Sequence, residues 1–146
     1  MGVVTKETQT ATEFDQLKVR LRTTWMTGDY DLFSRFMEKD AEQFFQRLRI
    51  APGTRVLDVG CGAGQIALIA ARQGARVTGC DIATNWLEKA RARAAAEGLT
   101  VTFEEGDAES LPYADGQFDA EGSTGAQGAL HADLPAMRCH QFMGNC

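Results

Sequence analysis

Arg55-Val56-Leu57-Asp58-Val59-Gly60-Cys61-Gly62-Ala63-Gly64 is the stretch whose reading decides the fold. Its first half is a short apolar run rich in valine, as expected of a parallel strand buried on both faces. Its second half is a glycine-rich turn. An Ala/Ile/Leu-rich helix follows from Gln65 to Gln73 and stops at Gly74, a residue that readily takes the left-handed conformation closing a helix. The same unit then repeats. Arg76 to Asp81 predicts a second strand, and Thr84 is placed to cap a helix. Leu87, Ala90 and Ala94 form a helical stripe that ends at Gly98, and Leu99 to Phe103 predicts a third strand ending near Gly106-Asp107. After a turn at Leu111-Pro112-Tyr113, Phe118-Asp119-Ala120 opens a fourth. Strand alternating with helix defines an α/β fold, a mostly parallel sheet with flanking helices.

Upstream, residues 1–12 read as a disordered start and residues 13–50 as an N-terminal helical extension. Phe14, Leu17, Leu21 and Trp25 recur at helical spacing. Gly28 breaks the pattern. Asp29 can cap a second helix lined by Phe33, Phe36, Met37, Phe44 and Leu48, which ends at Pro52-Gly53. Residues 51–120 form the α/β core and residues 121–146 an irregular tail. Glu121, Gly122 and Ser123 interrupt the fourth strand, and no sustained periodicity follows. The sheet therefore reads as incomplete on its C-terminal side, with four strands at best. A truncated gene, a shifted reading frame or a disordered tail would each give this pattern. A sheet ending at its fourth strand exposes an edge that invites pairing with a second copy or a partner.

The 146 residues suit one domain, with 44% hydrophobic and 24% charged residues. A net charge of −5 argues against a sequence-independent grip on nucleic acid, which needs clustered Lys and Arg. No apolar run approaches the ~20 residues of a membrane-spanning helix, and the Thr-rich start lacks the apolar core of a secretion signal. Cys61, Cys80, Cys139 and Cys146 include no CxxC pair, which fits a cytoplasmic protein with reduced thiols. His131, Cys139, His140 and Cys146 match no common metal-site spacing, so no metal is expected.

Three features carry chemistry. Gly60 and Gly62 lack side chains, so the backbone can approach a ligand, and the helix from Gln65 presents free N–H groups and a partial positive charge. Asp81 ends the second strand, where a carboxylate accepts from both ribose hydroxyls of a nucleotide; its alternative role is a cap before Ile82-Ala83-Thr84. Asp107, just past the third strand, can accept from an adenine amine, its alternative being a solvated turn residue. All three fall at the C-terminal ends of successive parallel strands, where open α/β sheets bind ligands. Arg91 and Arg93 read as a solvated helix face. Cys61 sits near a helix start, which can lower a thiol pKa, but no His partner for a nucleophile is visible.

Val56 to Gly64 resembles the first motif of the class I, Rossmann-like S-adenosylmethionine-dependent methyltransferases. Val77-Thr78-Gly79-Cys80-Asp81-Ile82 resembles the next segment, with its ribose-binding acid. Gly106-Asp107-Ala108-Glu109-Ser110-Leu111-Pro112-Tyr113, followed by Phe118-Asp119, is similar to the adenine-contacting stretch of the ubiquinone/menaquinone methyltransferase-like branch. The resemblance covers roughly residues 25 to 120 and implies the cofactor S-adenosyl-L-methionine and a small-molecule methyl acceptor. It places Gly60, Cys61 and Gly62 at the methionine part and Asp58 near the cofactor's amino group. Asp81 falls on the ribose, Ile82 against the adenine, and Asp107 with the Ala108 backbone at the adenine edge. Tyr30 either closes over the site or is a core aromatic. No general base is implied. The competing readings are a non-catalytic interaction module and an NAD-dependent oxidoreductase. Against the latter, the third glycine comes one residue earlier than in a dinucleotide fingerprint.

Overall fold

In the computed structural model, the described residues are 6–27, 38–39, 41–43, 45–46, 50–123 and 130–132. Strand β1 (Arg55–Val59) lies at the centre of a five-stranded sheet. Val56, Leu57, Asp58 and Val59 are all buried, as the apolar run requires of a strand covered on both faces. Strand β2 (Arg76–Asp81) pairs parallel with β1, Arg55 opposite Arg76 and Val59 opposite Cys80. Strand β3 (Val101–Glu105) pairs parallel with β2, bringing Asp81 opposite Glu105. Helix α2 (Gln65–Arg72) connects β1 to β2, and α3 (Thr84–Ala96) connects β2 to β3. Alternation along the strands sorts the core. Val56, Val77 and Phe103 meet Ala67, Leu68 and Ala70 of α2 and Leu87, Ala90 and Ala94 of α3. Leu57, Val59 and Cys80 instead pack with Leu111, Tyr113 and Phe118 from the connection after β3.

The sheet does not stop where the sequence pattern fades. Strand β4 (Ala120–Ser123) pairs parallel with β1 from Val56–Ala120 to Val59–Ser123, with Glu121 buried. Strand β5 (Leu130–Ala132) adds antiparallel to β4, giving the order β3-β2-β1-β4-β5. The expected break at Glu121-Gly122-Ser123 is therefore corrected. Ladder hydrogen bonds are made by the backbone, so a strand held against a fully formed neighbour needs no apolar alternation of its own. The outer edge of β4, expected to be bare, is paired. Asp119 fixes the start of this strand: its carboxylate accepts from the Arg55 amide at 2.9 Å and from the Arg55 guanidinium at 2.6 Å.

Helix α1 (Lys6–Thr27) begins earlier than the expected start at Glu13. Its Thr-rich first turns also carry Glu7, Gln9 and Ala11, side chains that a helix accommodates at little cost. The stripe of Phe14, Leu17, Leu21 and Trp25 is exposed among the described residues. Asp29, Tyr30 and the proposed stripe from Phe33 to Leu48 lie outside them. Phe45, not singled out in the sequence, is wholly buried in the helical-face core.

Gly79 shows how tightly that face is filled. A Cβ added there would stand 2.9 Å from the Phe103 ring and 3.0 Å from Cys61 Sγ. Gly79→Ala is expected to cost about 1–3 kcal/mol of stability through overpacking, read as a lowered urea midpoint at unchanged slope.

Candidate functional site

The glycine turn is built by its neighbours as much as by its own sequence. Gly60 and Gly62 have φ of +68° and +51°, and a Cβ on either would meet no atom within 4 Å. Both are thus required by backbone conformation, and the space beside them is open. Gly64, in contrast, packs against Ala90 and Phe103. The turn is tied down by the amides of Gly60 and Cys61, which both donate to the Cys80 carbonyl, at 2.8 and 3.0 Å.

Asp81 occupies the centre of this arrangement. One carboxylate oxygen accepts from the Gly62 amide at 2.8 Å and the other from the Ala83 amide at 2.8 Å. Asp81 thus ties the glycine turn to the residues leading into α3, through the amide of Ala83, the residue just before that helix. Its own carbonyl accepts from the Gly106 amide at 3.1 Å, setting the start of the Asp107 segment. Gly62, Asp81 and Asp107 therefore lie at or just past the C-terminal ends of three neighbouring strands. Ile82 is half-buried, and half-buried Ala108 packs toward Leu111.

Asp58 is fully buried at the floor. Its Oδ2 accepts from the Ala67 amide at 3.1 Å, capping the first turn of α2 from a distance and satisfying an amide the helix itself cannot. Its Oδ1 has no hydrogen-bond partner among the described residues. Burial pushes its carboxyl up to about 7, against the opposing pull of the Ala67 amide, and the nearby Asp81 charge adds to the rise.

Cys61 departs from expectation. Its side chain is turned into the core beside Gly79, and burial pushes its thiol above the usual range. Proximity to a helix start does not activate it, and only its backbone faces the turn. Arg93 is likewise corrected: it is half-buried and donates to the Ala63 carbonyl at 3.2 Å, bracing the glycine turn from α3. Arg91 is exposed, as expected, and also donates to the Phe103 carbonyl at 2.6 Å.

Sequence reasoning missed the contribution of α1. Lys18 Nζ lies 2.6 Å from Asp107 Oδ2 and 2.6 Å from Glu109 Oε2, and Arg22 pairs with Glu105 at 2.8 Å. The Lys18 ammonium holds the Asp107 carboxyl below its ordinary range. At the other end of α1, Trp86 Nε1 donates to the Trp25 carbonyl at 2.7 Å and Asn85 to the Met26 carbonyl at 3.3 Å. Of the four metal candidates only His131 is a described residue, and among the described residues no cluster of three ligating side chains occurs. No helix of the described residues is long and apolar enough to cross a membrane.

An open glycine turn, a buried carboxylate with an unfilled acceptor and two further carboxylates lie along the strand ends of a Rossmann-like sheet. The chain belongs to the methyltransferase domain family, whose model matches residues 56–141, more than half of its length. The match runs through the stretch after Ala120 that the sequence pattern set apart. An uncharacterized protein of Mycobacterium tuberculosis is 40% identical over 110 residues, covering 75% of this chain and 40% of that protein. The demethylmenaquinone methyltransferase of Thermus thermophilus is 41% identical over 99 residues, covering 62% and 44%. Among solved structures, a SAM-dependent methyltransferase from Thiobacillus denitrificans in complex with S-adenosyl-L-homocysteine superposes with a TM-score of 0.54 at 33% identity, covering 60% of this chain and 36% of that one. The chain spans less than half the length of the curated relatives it matches.

Proposed function

We propose that this chain binds S-adenosylmethionine across the C-terminal ends of β1, β2 and β3 and serves methyl transfer to a small-molecule acceptor in the cytoplasm. The observation that carries the reading is the cradle itself: Gly60 and Gly62 present open backbone, Gly62 held by Asp81 and Gly60 by the Cys80 carbonyl, and the adjoining strand carries the unfilled acceptor of Asp58. The methionine part of the cofactor, which bears an ammonium, fits over the two glycines, with Asp58 as the charge beneath it. Asp81 retains acceptor capacity for the ribose hydroxyls, since each oxygen accepts one amide and a carboxylate offers about four sites. Ile82 offers an apolar flank to the adenine. Asp107 and the Ala108 backbone address its edge.

When bound, the cofactor supplies an electrophilic methyl group on a sulfonium. The chain supplies position and a negative field that favours the cation. No described side chain is needed as a base for that task. The demethylmenaquinone methyltransferase relative supports an acceptor of the quinone-like kind. Calorimetric titration with S-adenosylhomocysteine tests the reading. One-to-one binding that NAD does not compete away is the expected result. Absence of binding, or preference for NAD, would reject it. The interaction-module alternative predicts no heat with either ligand.

A further inference from the structure

The feature of α1 that the proposed binding mode leaves unused is Lys18. Its ammonium sits between Asp107 Oδ2 and Glu109 Oε2 at 2.6 Å from each. Asp107 Oδ1 accepts from the Glu109 amide at 3.0 Å and Oδ2 holds the ammonium, so a neutral donor arriving at Oδ2 meets a charged one that is already closely seated there. The three side chains are roughly one-quarter to one-third exposed, which strengthens the pairing above that of a fully solvated one while leaving it responsive to salt. An ammonium and the exocyclic amine of adenine are both N–H donors seeking the same oxygen.

We propose that Lys18 is an internal competitor for the adenine amine: it holds Asp107 in the ligand-free chain, and cofactor binding displaces it and loosens α1 from the end of β3. This rests on the reading of Asp107 as the adenine-binding carboxylate. One turn along α1, Arg22 pairs with Glu105, so the same helix face carries a second ionic contact on the β3 end. The last turn of α1 is anchored differently, by Trp86 and Asn85 on backbone carbonyls. Displacing Lys18 thus removes one of the ionic contacts that α1 makes around the end of β3 and leaves its last turn attached. Affinity for the cofactor is set partly by a residue far outside the glycine turn.

The test compares wild type and Lys18→Met by calorimetry with two ligands, S-adenosylhomocysteine and S-inosylhomocysteine. The second carries a keto oxygen where the first carries the amine. Lys18→Met keeps the unbranched apolar stem and removes the ammonium. It is expected to bind S-adenosylhomocysteine about 3- to 10-fold tighter, the scale of one or two partly exposed ion pairs. It gains nothing with S-inosylhomocysteine, whose keto group accepts from Lys18 and cannot donate to Asp107. Raising salt from about 50 mM to about 500 mM should narrow the difference between the two proteins by screening the pairs. Lys18→Arg, which retains both pairs, should match wild type, and Glu109→Gln should show a smaller gain. Unchanged or weaker binding of S-adenosylhomocysteine by a folded Lys18→Met overturns the competition and leaves the cofactor reading standing. An equal gain with both ligands overturns it too, since the amine would then be irrelevant. Failure of wild type and variant alike to bind either ligand overturns the cofactor reading, and this proposal with it.

Discussion

Asp81→Ala is expected to weaken S-adenosylhomocysteine binding by roughly 100-fold, about 3 kcal/mol. Two losses combine. A charged acceptor for the ribose disappears, worth about 1.5–3 kcal/mol for a bond to an ionised group. The Gly62 amide also loses its 2.8 Å partner, so the glycine turn is no longer held in its open shape. The fold is expected to survive, because Asp81 is only half-buried and is not part of the main core clusters. Asp81→Asn separates the parts. It keeps the shape and one acceptor, loses the charge, and turns a donor toward one of the two amides, and it should fall between wild type and Asp81→Ala. The measurement is calorimetry at matched pH, with circular dichroism to confirm folding. Wild-type affinity in Asp81→Ala would show that the carboxylate orders the turn without contacting ligand.

The second large effect is on stability against pH. The Asp58 carboxyl lies near 7 in the folded chain, against 3.8 for the ordinary group. A raised acid binds more protons folded than unfolded. Its contribution therefore favours folding below the unfolded value and fades as pH climbs toward 7. Between pH 5 and pH 7 this amounts to about 3 kcal/mol, at 1.36 kcal/mol per unit. Urea unfolding of the ligand-free chain should show lower stability at pH 7.5 than at pH 5, and Asp58→Asn should flatten that slope. A slope unchanged in Asp58→Asn would place its origin elsewhere. A cationic ligand favours the ionised form, so its affinity should rise over the same interval.

The parts of this site that were legible in the sequence are those where one residue type at one spacing is chemically required. Gly60 and Gly62 had to be glycine to reach positive φ with an open flank, and Asp81 had to end a strand beside them. The parts that were not legible depend on contacts without local signature. Lys18 reaches Asp107 across 89 positions, and nothing around it in α1 distinguishes it from any solvated lysine. Arg93 has the spacing of a surface residue, yet its target is the Ala63 carbonyl, an acceptor that no side-chain pattern reports. Asp58 was read for its charge toward a ligand, and its hold on the first turn of α2 required knowing where that helix docks. Strands β4 and β5 were hidden for the opposite reason. Their residues carry little alternation, and their places come from the hydrogen-bonding edges that β1 offers to β4 and β4 to β5.

Helix α3 links two elements distant in sequence. Near its start, Asn85 and Trp86 grip the end of α1; two turns on, Arg93 grips the glycine bend. Tilting this one rod shifts both together, so substitutions on its outer face, remote from the glycines, are expected to act as levers on the bend and on α1 at once.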